Sequence, residues 1–198
     1  MKHFVIAIAR EYGSRGAEIG RKLAERLNVE YYDRDLVNKA AHYLKINESE
    51  LAAIDESISR KKLIKPEYYM DEGYLSDRLI KAQSDIIKQL ADKESCIIIG
   101  RCANYVLKDR PDCISVYIYA PFDKRVEHIM ATHPAYSKRK AGNLVQKMDR
   151  TRRNYYYYVT GRDRDEVYEQ QIMCDSNIFG VDGVVDMLES MVRKQFAD

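Results

Sequence analysis

The chain has 198 residues, 45% hydrophobic and 32% charged, which is enough for one soluble domain with a continuous core. Its formal net charge is only +2, which argues against a protein dedicated to nucleic acid or to a membrane surface. The longest apolar runs, at residues 4–9 and 96–99, are too short to cross a bilayer, and no cleavable signal pattern opens the sequence. We therefore expect a cytoplasmic protein.

Cysteine and histidine residues show no metal-type or catalytic spacing. The four cysteines are scattered without a C-x-x-C pair, so we expect reduced thiols that fill the core. The four histidines are interpreted as surface or packing residues.

The first predicted element is a buried strand that leads into a glycine-bearing turn and a helix. Residues 4–9 are continuously apolar, as in a strand covered on both faces of a parallel sheet. After residues 13–16, Ile19, Leu23 and Leu27 recur at four-residue steps and predict an amphipathic helix. Glycines let several amides turn toward one point, and a helix start adds unpaired donors, so this layout predicts a phosphate cradle. The alternative is a buried strand that merely turns into a helix.

The turn departs from the P-loop consensus G-x-x-x-x-G-K-[ST]. With the helix as the anchor, the lysine position falls on Gly16 and the Ser/Thr position on Ala17. The two consensus glycines fall on Arg10 and Arg15. The sequence therefore keeps the layout of the cradle without its lysine.

The next segment predicts a short strand at residues 30–32 that ends at Asp33, a residue type that caps helices. Residues 36–44 carry the apolar face of a helix, and residues 47–50 form a capping box. Residues 57–74 show no period, which indicates a loop or a helical excursion.

The remaining pattern alternates helices with strands. A long helix with Leu79, Ile87 and Leu90 precedes a strand at residues 96–99, which is followed by Gly100 and Arg101. A third strong strand at 114–120 leads into a helix at 122–131, and a last strand at 171–174 precedes the closing helix. This alternation predicts βαβ units and a five-stranded α/β sandwich.

Residues 134–164 have the most unusual composition in the chain. They carry nine cations against Asp149 and Asp163: Lys138, Arg139, Lys140, Lys147, Arg150, Arg152, Arg153, Arg162 and Arg164. One interpretation is a solvated helical face with half-buried tyrosines at 155–158. The other is an arginine-rich lid that closes over polyphosphate, with Gly142 and Gly161 as places to bend.

The order and spacing of these pieces resemble the cytidylate kinase-like family, a divergent branch of the nucleoside monophosphate kinases within the P-loop superfamily. The resemblance runs nearly end to end. It rests on residues 9–14 before Gly16, residues 19–24 and 32–36, Ile99-Gly100-Arg101, residues 149–152, Thr160-Gly161-Arg162 and residues 183–185.

The resemblance implies an α/β fold of the P-loop nucleoside monophosphate kinase type, a five-stranded parallel sheet flanked by helices with a helical lid. Residues 1–198 would form a single kinase-like domain. Within it, residues 34–74 would be an acceptor-binding helical excursion and residues 134–164 the lid.

Site residues follow from the resemblance position by position. Asp33 and Arg101 match the family's acceptor-binding residues, whereas the aspartate of its Gly-Arg-Asp motif is here Cys102. Arg152 is the best-placed counterpart of the lid arginine that embraces the transferred phosphoryl group, with Arg150 and Arg162 as neighbours. The ATP phosphates would be bound by Arg10, Gly13, Ser14, Arg15, Gly16 and Ala17, with Arg10 or Arg15 supplying the missing lysine's charge. Glu18 is either a metal ligand or a first-turn acid on the helix dipole.

The implied activity is an ATP-dependent phosphotransfer with magnesium bridging the ATP phosphates and CMP or dCMP as acceptor. The expected partners are ATP and a small phosphorylated acceptor, with a homodimer as the assembly and no nucleic acid or membrane. Two alternatives stay open: a kinase for another small metabolite, and a nucleotide-binding or regulatory module without catalysis.

Overall fold

The computed structural model describes residues 1–33, 75–162 and 170–197, together with Asn38, His42, Lys45 and Asn47. Several sequence predictions lie outside the described residues. They are most of those for residues 34–50, those for residues 57–74, and Asp163 and Arg164. The five strands are β1 (Val5–Arg10), β2 (Glu30–Tyr32), β3 (Cys96–Ile99), β4 (Cys113–Tyr119) and β5 (Ile172–Asp175). They form one sheet in the order β2-β3-β1-β4-β5, and every pairing is parallel. The predicted five-stranded parallel sheet is confirmed.

Helices cover both faces of this sheet. Those in the described residues are α1 (Gly16–Leu27), α2 (Leu75–Lys93), α3 (Ala103–Val106), α4 (Phe122–Thr132), α5 (Lys138–Thr160) and α6 (Ser176–Gln195). Alternate residues of β1 face opposite layers: Ile6 and Ile8 join the core under α1 and α6, and Val5 and Ala7 join the core under α2 and α3. Because both layers are apolar, the strand reads as one continuous hydrophobic run.

The predicted packed faces of the helices are confirmed. Ile19 and Leu23 of α1 are fully buried, and Val185 and Leu188 of α6 are buried in the same core. Asp175 caps α6, since its carboxylate accepts hydrogen bonds from the amides of the first turn. All four cysteines are free and buried, as the scattered spacing predicts.

Helix α5 carries the arginine-rich segment. It begins after Ser137, whose Oγ accepts from the Lys140 amide, and ends at Gly161 in the left-handed region at φ 69°. Val145 packs with Val126 and Ile129 of α4 in a small separate core. Gly142, expected as a place to bend, lies inside this 23-residue helix. No helix in the described part of the chain is long and apolar enough to cross a membrane.

Candidate active site

The carboxyl ends of β1, β2 and β3 meet at one edge of the sheet, beside the loop that joins β1 to α1. The strand order changes direction at β1: β3 pairs with it on one side, and the next strand along the chain, β4, pairs with it on the other side. In open parallel sheets, ligands bind in the crevice outside the strand ends at such a switch point. The candidate site is therefore this edge.

The loop at residues 11–15 is held by its side chains and by close approach to α4. The hydroxyl of Ser14 is buried and donates to the carbonyls of Glu11 at 2.9 Å and Ile118 at 3.1 Å. Gly13 has φ 82°, and a Cβ there would lie 3.0 Å from both Cβ and the carbonyl oxygen of Arg125. Glycine is therefore required at position 13 for its conformation and for space.

Most amides of this loop are left available. Glu11 N donates to the Ile118 carbonyl at 3.0 Å, and Tyr12 N donates to Asp149 Oδ1 at 2.8 Å. The five amides of residues 13–17 donate no hydrogen bond to any atom of the described residues. They include the first amides of α1, where the helix dipole is positive. Free donors beside a positive helix end are the chemistry of an anion site.

The missing lysine has a steric reason. A Cβ at Gly16 would lie 2.7 Å from Arg10 Cβ and 3.2 Å from Ile118 Cβ, both close to the main chain of buried strands. Real Cβ atoms essentially never come that close, so α1 sits against β1 and β4 only because position 16 has no side chain.

We therefore expect Gly16→Ala to destabilise the fold by about 1–3 kcal/mol through overpacking. Gly142→Ala is the matched control, because its nearest neighbour would be 3.7 Å away and alanine favours a helix interior. Urea unfolding of both variants measures the difference. Equal urea midpoints for Gly16→Ala and the wild type would contradict this expectation. They would show that α1 can move away from β1 without a loss of folding free energy.

The buried Arg125 on α4 binds the loop at residues 11–15. Arg125 is only 6% exposed. Its Nη1 donates to the Tyr12 carbonyl at 3.0 Å and to Asp149 Oδ2. Its Nε donates to the Ala120 carbonyl at 3.0 Å. Nε also lies 3.2 Å from Glu11 Oε2 in an ion pair. Asp149 thus binds Arg125 and the Tyr12 amide together, and connects α5 to the loop at residues 11–15.

The Arg10 side chain passes Gly16, and its guanidinium reaches the residues that follow β2 and β3. Its Nη2 donates to Asp33 Oδ1 at 3.3 Å, and its Nη1 would lie 2.1 Å from a Cβ at Gly100. The Arg101 guanidinium stands 5.2 Å from the ring centroid of Tyr155 on α5, a cation–π distance. Three of the predicted site residues therefore lie close to Gly100: Arg10, Asp33 and Arg101.

The backbone after β3 is unusual. Gly100, Arg101 and Cys102 all have positive φ, at 73°, 52° and 57°. A non-glycine residue in this region costs energy, and such strain collects where a side chain must be aimed at a ligand. Two such residues in succession turn the chain sharply, so Arg101 leaves the strand end and lies against α5.

Arg152 approaches the same edge from α5. Its Nη1 donates to the Arg10 carbonyl at 3.2 Å, and its guanidinium lies 5.5 Å from the ring centroid of Tyr12. The candidate site thus combines a loop with free amides, one arginine from helix α5 and two arginines from the strand ends.

Comparison with known proteins agrees with this geometry. The model of the cytidylate kinase-like family matches residues 5–177. The chain belongs to that family. A crystal structure of an uncharacterized protein from Eubacterium ventriosum is similar, with 24% identity and a TM-score of 0.71 over 96% of this chain and 98% of that one. Shikimate kinase from Bacteroides thetaiotaomicron shares the fold at 11% identity and a TM-score of 0.55, over 96% and 98%. A search of curated proteins finds no match.

The predicted fold and family are thus confirmed, and they support a nucleotide-dependent phosphotransferase for this member of the cytidylate kinase-like family. Arg150, one of the candidate lid residues, is exposed on α5. Arg162 lies two residues beyond the end of α5, which continues for eight residues (about 12 Å) after Arg152, and its guanidinium is 5.8 Å from the ring centroid of Tyr105. Among the three arginines proposed for the lid, Arg152 contacts the Arg10 carbonyl and the Tyr12 ring beside the loop at residues 11–15.

The predicted metal ligand Glu18 is engaged by its neighbour. Arg15 donates to both of its carboxylate oxygens at 2.9 Å, and these hydrogen bonds hold the pKa of the Glu18 carboxyl below its usual value. The described residues contain no group of three potential metal ligands. Magnesium typically keeps several waters and is shared with substrate phosphates, so this site fits phosphate better than it fits a protein-bound ion. The Arg15 guanidinium is in turn already paired with the Glu18 carboxylate.

Sequence reasoning missed Arg125. The signal was a cation on the apolar face of the predicted helix, since Val126 and Ile129 lie on the same side. A buried arginine requires carboxylate partners. Glu11 lies more than a hundred residues before Arg125 and Asp149 lies 24 residues after it, so no local pattern indicates the pairing.

Proposed function

We propose that this protein is a nucleoside monophosphate kinase that transfers the γ-phosphoryl group of ATP to CMP or dCMP. The observation that carries the proposal is the row of free amides at residues 13–17, which follows β1 at the same sheet edge as Arg152 and the Arg10–Asp33 pair. Kinases of this type act by placing two substrates in line and neutralising charge. The free amides and the arginines at this edge support such a role.

In this proposal the loop amides bind the ATP phosphates, and magnesium bound to those phosphates supplies additional positive charge. The Arg152 side chain extends from α5 toward the loop and faces the transferred phosphoryl group. Arg101 and Asp33 bind the acceptor, with Arg101 oriented by the Tyr155 ring. Tyr155 is itself fixed, because its hydroxyl donates to Gln83 Oε1 at 2.8 Å. Cys102 stands where the family has an acidic residue, so recognition of the base depends on other groups.

The test is a panel of nucleoside monophosphates with ATP and magnesium, read out as ADP release. Turnover with CMP or dCMP above the other nucleotides is the expected result. Shikimate and similar small hydroxylated metabolites form a second arm, because the fold is shared with shikimate kinase. Turnover in that arm alone would assign the protein to another class of kinase.

The second candidate is a nucleotide-binding module without catalysis. It is favoured by the Arg15–Glu18 pair, which uses one cation of the loop, and by the steric exclusion of a lysine at position 16. Tight nucleotide binding without ADP release from any acceptor is the outcome that this candidate predicts.

Arg101→Ala is expected to raise the KM for the acceptor about ten- to a hundredfold, as for the loss of a hydrogen bond to a charged group, and to leave ATP affinity nearly unchanged. Initial rates at varied acceptor and ATP measure both effects. Arg21→Ala removes an exposed arginine from α1 and serves as the control. An equal loss of ATP and acceptor binding in Arg101→Ala would assign the residue to folding instead.

A further inference from the structure

The solvent-exposed face of helix α5 carries five cations that make no ion pair within the described residues. The one acidic residue of this helix, Asp149, is half-buried and pairs with Arg125 of α4 instead. We call the five exposed side chains the basic face of α5. They are Lys138, Arg139, Lys140, Lys147 and Arg150.

The basic face lacks the compensation that exposed cations on neighbouring helices have. Arg26 of α1 pairs with Asp186, and Lys124 of α4 pairs with Glu127. Like charges on neighbouring turns of a helix repel each other, so the basic face lowers the stability of α5. Its side chains also take no part in the small core between α4 and α5. A feature that costs stability and serves no packing indicates a functional role.

The basic face also sets the sign of the charge of the whole molecule. The formal net charge of the chain is +2, so without these five cations it would be −3. A nucleotide polyphosphate carries several negative charges, and a molecule of net negative charge repels it at long range. The basic face therefore decides whether the molecule as a whole attracts or repels such an anion.

The basic face begins beside the candidate active site. Lys147 and Arg150 stand on either side of Asp149, whose Oδ1 binds an amide of the loop at residues 11–15. Lys138, at the far end, lies eleven residues before Asp149, or about 17 Å along the helix axis. The Debye length is about 30 Å at 0.01 M salt and about 10 Å at 0.1 M. At low salt, the field of all five cations therefore extends to this loop.

We propose that the basic face of α5 attracts the polyphosphate of a nucleotide toward the free amides of residues 13–17 and so raises the association rate. The inference rests on the proposed binding of ATP at these amides. The exposed cations act through their field and do not contact the bound nucleotide, whereas Arg152 faces the transferred phosphoryl group. Fields of this kind raise association rates by about 10- to 1,000-fold at low ionic strength.

The test is stopped-flow binding of ATP that carries a fluorescent methylanthraniloyl group to the full chain, which gives the association and dissociation rates separately. The test variant combines Arg139→Gln, Lys140→Gln and Lys147→Gln, and glutamine keeps the helix propensity. We expect its association rate to be at least about tenfold below that of the wild type at about 0.01 M salt. The two rates should agree within about twofold at about 1 M salt, where the Debye length is about 3 Å. The dissociation rate should not change, because no contact is lost.

A matched control separates the local field from the net charge. Lys2→Gln, Lys108→Gln and Lys194→Gln together remove the same charge from exposed positions. These positions lie toward the amino ends of the strands: Lys2 precedes β1 and donates its amide to the Phe196 carbonyl beside Lys194, and Lys108 precedes β4. The six residues of β1 place the loop about 20 Å away from its start. At about 0.1 M salt this distance exceeds the Debye length, so the control should associate within about twofold of the wild type.

A second control keeps the charge and changes the side chains. Arg139→Lys, Lys140→Arg and Lys147→Arg together should associate at the wild-type rate at every salt concentration, because the field depends on charge alone. A slower association in this protein would mean that the shape of the side chains matters, which contradicts the proposal.

Two further outcomes would overturn the inference. An equal fall of the association rate in the α5 variant and in the control at the amino ends of the strands, measured at about 0.1 M salt, would show an effect of net charge alone. A fall that persists at about 1 M salt with faster dissociation would show direct contact with the nucleotide. If the wild type binds no nucleotide, the proposed function fails as well, whereas nucleotide binding with an unchanged association rate in the α5 variant refutes this inference alone.

Discussion

Arg152→Lys is expected to lower kcat by at least about a hundredfold while ATP affinity changes little. Lysine keeps the charge but loses the planar fork that binds two phosphate oxygens at once. Because position 16 has no room for a lysine, and Arg15 and Arg10 are paired with Glu18 and Asp33, more of the charge neutralisation falls to Arg152. Steady-state rates and nucleotide titration with the active acceptor measure the two quantities separately.

Arg139→Lys is the control for Arg152→Lys. It makes the same chemical change at an exposed position in the first turn of α5 and should leave kcat unchanged. If Arg152→Lys turns over like the wild type, Arg152 is a surface cation with no role in transfer. Arg150 and Arg162 would then be the next residues to replace.

Arg125→Met is expected to lower the free energy of unfolding by about 3–5 kcal/mol, because it leaves Asp149 and Glu11 without their shared cation in a buried site. The Tyr12 and Ala120 carbonyls also lose their donor. Urea unfolding followed by circular dichroism measures the loss. Nucleotide affinity should fall as well, since the loop at residues 11–15 loses its attachment to α4.

Lys124→Met is the neighbouring control. Lys124 pairs with Glu127 on the exposed side of the same helix, and surface pairs contribute little to stability. The two variants remove one cation each from adjacent positions, so their difference isolates burial. A similar midpoint for both would mean that the Arg125 network contributes no more than a solvent-exposed pair.

The strands could be predicted because their signal is local. Residues 4–9 and 96–99 are apolar without interruption, and they form β1 and β3 at the centre of the sheet, where both faces are covered. The faces of α1 and α6 follow from helical spacing for the same reason. The sequence also predicted the glycine turn as a phosphate cradle, and the amides of residues 13–17 are free within the described residues.

Other parts of the site depend on contacts between residues far apart in the chain. The resemblance predicts that Arg10 or Arg15 supplies the charge of the missing lysine, and in the structure the Arg10 guanidinium lies against Gly100 and pairs with Asp33. Nothing in residues 4–16 indicates that direction, because it is set by the turn of residues 100–102 from another strand. Arg101 likewise stacks on Tyr155, more than fifty residues later.

The sequence by itself determined that the lysine is missing, where the strands and the glycine turn lie, and which family the chain resembles, since each is written in consecutive residues or in a short period. The tertiary structure decided why no lysine can stand at position 16, which of three arginines on one segment reaches the loop, and that Arg125 joins two distant acids. Those outcomes depend on the approach of α1 to β1 and of α5 to α4. Such distances are set by packing between elements and leave no period in the sequence.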